Sequence, residues 1–231
     1  QCLVGSEMCI RDRAAPAGFQ VEGDGEAIVY GPSRFIENHP VTEAVIEGEK
    51  TRLVQYQDGA TIRLNGYTLP ANAFDNAVGW TSDNAQVADV DRGKVTLKQT
   101  GMANITMTSK SNNSIFDQVK ILAVDPKIQG AARIEDDKPE SYTVDLKATG
   151  IDPSDLDRIS YKWSVDDLKV ATIDEATGEL TKVGQGTVHV TAQLLLDGVA
   201  TDIRVSKEVQ ILDVVSVEIT WGAICLLYTS P

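Results

Sequence analysis

The chain has 231 residues and a formal net charge of −13, with an isoelectric point near 4.5. A chain this acidic is repelled by phosphate backbones and by anionic membrane surfaces, so we expect no nucleic-acid partner. The sequence has no long uninterrupted apolar run, and we therefore expect no membrane span in it.

The two ends of the sequence differ from the rest and hold all three cysteines, Cys2, Cys9 and Cys225. Residues 8–12 can be encoded by ATG-TGT-ATA-AGA-GAC. The reverse complement of that string, read one base later, encodes residues 225–229. Both ends resemble translated sequencing-adapter DNA, and we predict that residues 1–13 and 224–231 are adapter-derived artefacts. The remaining sequence has no cysteine, which excludes a disulfide-stapled scaffold.

The strongest internal signal is a repeat that begins at Trp80 and again at Trp163. Matched residues are 82 positions apart from Gly48 to Leu64, 83 from Pro70 to Asp91, and 85 from Gly93 onward. Farther along, VKIL at 119–122 matches VQIL, 90 positions later. A separation that grows in steps is typical of loop insertions in a duplicated domain.

The repeat divides the chain into units. We predict a first domain at residues 42–125, a second at 126–214, and the start of a truncated third unit at 215–223. Residues 14–41 match neither unit, and the sequence leaves open whether they are the tail of a preceding domain or an N-terminal extension. The linkers are short and not rich in Gly or Ser, which predicts a semi-rigid rod.

Each unit has the pattern of short β-strands. Residues 187–192 alternate strictly and place Val188, Val190 and Ala192 on one face, and turn signals rich in Asp and Gly separate such runs. With no convincing helical stripe, this pattern predicts an all-β fold of small sandwiches, each closing around one tryptophan.

The repeated residues resemble a known family. The run from Trp80 through Val87, Asp91 and Gly93 to residues 101–106 is similar to the W-S-S-x-N-x-x-V-A-x-V-D-x-x-G-x-V-T…G-x-A-x-I-T pattern of the bacterial Ig-like domain, group 2. The second copy departs from the pattern at residues 165–167, where Ser-x-Asn is usual, and we expect this to change a loop and not the core. The resemblance implies two tandem Ig-like β-sandwich domains in a rod-like arrangement, in a bacterial extracellular or cell-surface protein.

Every residue of the motif has a folding role. The tryptophans and aliphatic residues fill the cores, the aspartates begin hairpins and bond turn N–H groups, and Gly101 and Gly186 allow a backbone that a Cβ would oppose. The predicted core and turn residues are Trp80, Val87, Val90, Asp91, Gly93, Gly101, Ile105, Trp163, Val170, Ile173, Asp174, Gly178, Gly186 and Val190.

The sequence predicts no catalytic, cofactor-binding or metal-binding residue. The only histidines are His39 and His189, and alternation turns His189 toward solvent. Zinc is disfavoured without a second histidine or a native cysteine nearby. The acidic groups at 135–137, 152–157 and 166–167 lack EF-hand spacing, although a weak interdomain calcium site stays open as an alternative to a solvated acidic surface.

Three functions of different classes are compatible with this pattern. We favour a non-catalytic spacer or adhesive module, monomeric within a longer multidomain chain, whose partner is an unidentified host or environmental surface protein or glycan. The alternatives are an accessory module of a secreted polysaccharide-degrading enzyme and a phage virion decoration or tail domain. A glycan-binding role would need an exposed aromatic platform, for which the repeats offer Tyr56, Tyr67, Phe74, Phe116, Tyr142 and Tyr161.

Overall fold

The computed structural model describes residues 39–213. The predicted artefacts at 1–13 and 224–231, the unassigned residues up to 38, and the predicted third unit at 215–223 all lie outside the described residues.

Nine strands precede Asp125, and we call them the first strand set. They are β1 (Glu43–Ile46), β2 (Thr51–Gln55), β3 (Thr61–Arg63), β4 (Gly66–Leu69), β5 (Val78–Ser82), β6 (Ala88–Asp91), β7 (Lys94–Leu97), β8 (Gly101–Ser109) and β9 (Phe116–Val124). They form a four-stranded sheet in the order β2-β9-β8-β5, a three-stranded sheet in the order β3-β7-β6, and the pair β1-β4.

Nine more strands follow Pro126 and form the second strand set. They are β10 (Lys127–Gln129), β11 (Arg133–Ile134), β12 (Glu140–Ser141), β13 (Thr143–Asp145), β14 (Ile159–Val165), β15 (Ala171–Ile173), β16 (Glu179–Lys182), β17 (Gly186–Leu196) and β18 (Val199–Ile211). Within residues 39–213 the only α-helix is α1 (Pro153–Leu156), one turn long, between β13 and β14.

The second strand set repeats the pairing of the first. Its sheets run β11-β18-β17-β14 and β12-β16-β15, with the pair β10-β13, so each strand has the neighbours of the strand nine positions earlier. In both sets the edge strand β2 or β11 is parallel to its neighbour, and the other pairings are antiparallel. The predicted all-β fold class is confirmed, and the paired sheets agree with a β-sandwich.

The register corrects one detail of the sequence repeat. Trp80 pairs with Met107 and Trp163 with Ala192, which agrees with the separations of 83 and 85. On the other side of these strands, Gly101 pairs with Ala123 and Gly186 with Ile211. The last strands therefore correspond at a separation of 88, so the match of VKIL with VQIL at 90 is wrong by two residues. A two-residue shift preserves the side-chain face, and periodicity alone does not detect it.

Strict alternation explains why the long strands form. Every second residue of β8 is buried, from Gly101 to Ser109, and Val188, Val190 and Ala192 of β17 are fully buried. These faces build two separate apolar clusters. The first includes Leu64, Val95, Leu97, Ile105 and Ile121. The second includes Tyr142, Trp163, Leu180, Val190 and Ile211.

The separate clusters predict that a core truncation acts on one strand set. Trp163 is 2% exposed, so Trp163→Ala should cost about 3–5 kcal/mol of unfolding free energy and unfold the second strand set first. Trp80 is only partly buried, so Trp80→Ala should cost less. Differential scanning calorimetry, with intrinsic fluorescence from the two tryptophans that remain in each variant, measures both. Equal loss of all signals in the two variants would contradict separate cores.

Candidate functional site

Each tryptophan packs on a glycine of the turn that faces it across the sandwich. A Cβ at Gly178 would lie 2.7 Å from Cε2 of Trp163, and a Cβ at Gly93 would lie 3.3 Å from Cζ2 of Trp80. Both glycines have positive φ, +74° and +77°, which side chains rarely adopt. The tryptophan and glycine of the sequence motif are therefore one contact between the four-stranded and three-stranded sheets of each strand set.

The aliphatic residues of the motif lie around these contacts. Val87, Ile105, Val170 and Val190 are buried in the two clusters. Val90 and Ile173 are half-buried and pack against the same clusters from the three-stranded sheets, Val90 against the first and Ile173 against the second.

The two motif aspartates differ in what they bond. Oδ1 of Asp174 accepts hydrogen bonds from the backbone N–H of Ala176 and Thr177 and from the Thr177 hydroxyl, at 3.0, 2.7 and 2.9 Å. The N–H of Thr177 and then its hydroxyl lower the pKa of Asp174 below the ordinary value.

The prediction that Asp91 bonds turn N–H groups is wrong. Its side chain is exposed, and its nearest charged partner is Nε of Arg92, at 3.9 Å. Asp91 pairs directly with Lys94, so Arg92 and Gly93 form a two-residue turn with φ of +49° and +77°. Such a type I′ turn closes through backbone pairing. The two extra residues of the second copy lie in this turn and create the loop that Asp174 caps.

Gly101 and Gly186 have φ of +139° and +151°, in the region that favours glycine. At each position a Cβ would press on the valine of the motif: Cγ2 of Val87 at 2.8 Å or Cγ2 of Val170 at 2.9 Å. Gly101 differs in one respect, because its Cβ would also lie 3.0 Å from the backbone oxygen of Thr149, in the second strand set.

A third apolar cluster connects the two strand sets, and we call it the junction. Leu122 and Val124, both fully buried at the end of β9, contribute from the first set. The second set contributes buried residues from the connection after β13 and from β14, β17 and β18: Ile151, Ile159, Leu194 and Ile203. Sequence reasoning did not identify this cluster as a site.

A polar network lies beside the junction and centres on Asp155 of α1, which is 3% exposed. Its Oδ2 accepts from Nζ of Lys120, in β9, at 2.8 Å, and its Oδ1 accepts from Nη1 of Arg158 at 3.1 Å. The same Nη1 lies 3.3 Å from Oγ1 of Thr51, in β2. The network therefore joins both strand sets through charged hydrogen bonds.

Arg158 is held from its other side by Asp197, in the turn between β17 and β18. Nε and Nη2 donate to the two carboxylate oxygens of Asp197 at 2.9 and 2.6 Å. These bonds, and then the bond to Asp155, raise the pKa of Arg158 above its ordinary value, so the guanidinium stays charged.

Several of the acidic residues considered for calcium have cationic or backbone partners. Asp155 has Lys120 and Arg158, and Asp137 lies 3.1 Å from Nζ of Lys182. Oδ1 of Asp167 accepts from the N–H of Lys169 at 2.9 Å. Within residues 39–213, no group of three or more His, Cys, Asp or Glu side chains has a metal-binding arrangement.

His189 lies on the exposed side of β17, with half of its side chain exposed. Nδ1 lies 2.7 Å from Oδ2 of Asp166, whose Oδ1 also accepts from the His189 N–H at 2.8 Å. The N–H of His189, and then its ring, lower the pKa of Asp166. Both residues are exposed, and the pair holds the loop after β14 against β17.

Comparison with known proteins agrees with this geometry in the first strand set. Residues 49–119 match the family model of the bacterial Ig-like domain (group 2). No curated protein sequence matches the chain. None of the helices in the described part of the chain is long and apolar enough to cross a membrane.

The solved structures that match the chain are distant from it in sequence. A C-terminal fragment of intimin, in complex with the intimin-binding domain of its translocated receptor, is 10% identical with a TM-score of 0.43, over 74% of this chain and 64% of that chain. Drosophila N-cadherin EC1-4 is 12% identical with a TM-score of 0.28, over 74% and 50%. Domains 4 and 5 of the S-layer protein SbsC are 14% identical with a TM-score of 0.27, over 75% and 100%. These values assign no ligand or activity to the chain.

The junction network predicts a large effect for one carboxylate. Asp155→Ala removes the partner of Lys120 and one partner of Arg158, and should cost about 2–3 kcal/mol of unfolding free energy. The cost is below that of a fully buried pair because about a third of each cationic side chain is exposed. Urea denaturation measures the loss. Asp157→Ala, an exposed change two residues away, is the control and should stay within about 0.5 kcal/mol. Equal losses would refute a special role for Asp155.

The turn capped by Asp174 and the turn at Asp91, which has no side-chain cap, predict different responses to acid. Because the pKa of Asp174 is lowered by folding, its contribution to stability is complete above the ordinary pKa of about 3.9 and is lost as the pH falls through the folded value. Asp174→Ala should therefore lower the melting temperature of the second strand set at pH 7, with a smaller difference at pH 3. Asp91→Ala is the matched control, and its effect at pH 7 should be smaller. A difference for Asp174→Ala that widens toward pH 3 would contradict this assignment.

Proposed function

We propose that this chain is a non-catalytic spacer module of a bacterial extracellular or cell-surface protein. It consists of two tandem Ig-like domains, residues 42–125 and 126–214, held in a fixed relation by the junction. The match of residues 49–119 to the bacterial Ig-like domain (group 2) supports the class of protein and its location. The repeated sheet order supports the second domain.

The observation that carries this proposal is the double role of β9. Val119, Ile121 and Ala123 of this strand belong to the core of the first strand set. The alternate residues Leu122 and Val124 belong to the junction, so the end of the strand is buried on both faces. Bending at residues 125–126 would expose apolar surface from both strand sets, which is unfavourable in water.

The charged network beside this apolar contact restricts rotation of one strand set against the other. Lys120 reaches Asp155 from the same strand that supplies Leu122 and Val124. A rotation of one strand set against the other would separate this ion pair and the contact between Arg158 and Thr51. Apolar packing resists bending and the polar contacts fix the rotation, as expected of a stiff spacer.

A spin-label experiment tests the stiffness of the joint. Thr81→Cys and Ser164→Cys occupy equivalent exposed positions of β5 and β14, in a background with the three cysteines changed to serine. We expect one narrow distance distribution by pulsed electron paramagnetic resonance. It should be the same in calcium and in EGTA, because Lys120 and Arg158 supply the positive charge at Asp155.

Two glycine variants provide the matched comparison. Gly101→Ala presses on Val87 and also on the Thr149 backbone across the junction, whereas Gly186→Ala presses on Val170 of its own strand set alone. Gly101→Ala should therefore broaden or shift the distance distribution, and Gly186→Ala should leave it unchanged at temperatures where both variants are folded. A broad distribution in the parent protein would overturn the proposal of a stiff spacer.

A further inference from the structure

The aromatic residues of the repeats divide into partnered and exposed groups. Tyr142 is buried, Tyr161 packs in the second core and in the junction, and the hydroxyl of Tyr56 donates to the backbone oxygen of Lys98. Phe74 and Phe116 are instead 72% and 59% exposed. Two further apolar residues of β4 are exposed: Tyr67 at 46% and Leu69 at 36%. We call these four residues the entry face.

A backbone contact brings together the two segments that carry Phe74 and Phe116. Phe74 lies in the connection from β4 to β5. Phe116 is the first residue of β9, directly after the turn that joins β8 to β9. The two segments meet where the N–H of Lys110 donates to the oxygen of Ala77, at 2.9 Å. Exposed apolar groups on neighbouring segments indicate a candidate surface that another segment or molecule covers.

The end of the second strand set that carries the equivalent segments is covered. The equivalent connection, from β13 to β14, carries Ile151 and Leu156 into the junction. The equivalent hairpin strands bring Leu194 and Ile203 to it. In the second strand set this end therefore packs against the part of the chain that precedes it. Because the two strand sets have the same topology, we expect the chain before residue 39 to cover the same end of the first set.

The path of the chain near residue 39 also favours this segment as the one that covers the entry face. The N–H of Phe74 donates to the backbone oxygen of His39, at 3.0 Å. The N–H and hydroxyl of Thr42 donate to the oxygen of Leu69, at 2.8 and 3.2 Å. The chain therefore enters beside two residues of the entry face. The residues before it include large apolar groups: Phe19, Val21, Ile28, Val29, Tyr30, Phe35 and Ile36.

We propose that residues 14–38 dock on the entry face and cover Phe74 and Phe116 with their own apolar side chains. This assignment stands apart from the spacer role, because the segment would dock whether or not the junction is stiff.

Hydrogen exchange measured by mass spectrometry on the 231-residue chain tests the docking. Peptides from residues 14–38 should exchange at least about tenfold more slowly than an unstructured chain. Phe74→Ser/Phe116→Ser should remove that protection, while β5 and β8 stay protected and show that the domain is folded. The matched control is Leu168→Ser/Val183→Ser. These two apolar residues are 67% and 56% exposed in other loops, and their replacement should leave residues 14–38 protected.

Several results would overturn the proposal. Residues 14–38 could exchange at the unprotected rate in the parent chain, or keep their protection in the double phenylalanine variant. Light scattering could show a dimer that the same variant dissociates, which would assign the entry face to a second copy. Soluble xylan could bind the parent chain and not the variant, which would assign the face to a glycan.

Discussion

The contact between an indole ring and a glycine is the interaction on which each sandwich depends. A Cβ at Gly178 would lie 2.7 Å from both the Trp163 ring and the backbone oxygen of Tyr142. At Gly93 the backbone oxygen of Leu64 would be nearest, at 2.5 Å, with the Trp80 ring at 3.3 Å. The tryptophan belongs to the four-stranded sheet and the glycine to a turn of the three-stranded sheet. One contact therefore sets how closely the sheets approach, and the alternating aliphatic residues fill the remaining space.

The two-residue insertion in the second copy changes which groups bond the N–H groups of the turn. It leaves the contact between tryptophan and glycine in place. In the first strand set, Arg92 and Gly93 close the hairpin with their own backbone conformation. In the second, the longer loop leaves N–H groups that the carboxylate of Asp174 satisfies. The glycine keeps its positive φ in both, and in both a Cβ would collide with a facing backbone oxygen, that of Leu64 or of Tyr142. The conserved part of the repeat is thus the packing requirement, and the aspartate has a different role in each copy.

The sequence predicted what depends on local periodicity, and missed what depends on distance. Alternation in β8 and β17 was sufficient to predict strands and their buried faces. The role of Asp155 was not predictable in this way, because Lys120 lies 35 residues earlier and only the fold brings the two together. From sequence alone, Asp155 looked like one of three acidic residues in a loop. The role of Asp91 was predicted wrongly because the length of the turn, and not the residue type, decides whether a side chain must bond the N–H groups of the turn.

One sequence signal for the junction was present. Residues 121–124 of β9 form an uninterrupted apolar run, whereas the equivalent end of β18 alternates, with Gln210 exposed between Val209 and Ile211. An antiparallel strand with one face toward water alternates, and a strand buried on both faces does not. The break in alternation therefore marks the end of the first strand set that another element covers. The same reasoning explains why the pairing register alone suggests two identical units, while the side chains at the ends of β9 and β18 differ. A repeat protein can in this way keep one fold throughout and encode each joint in a few residues at the end of a strand.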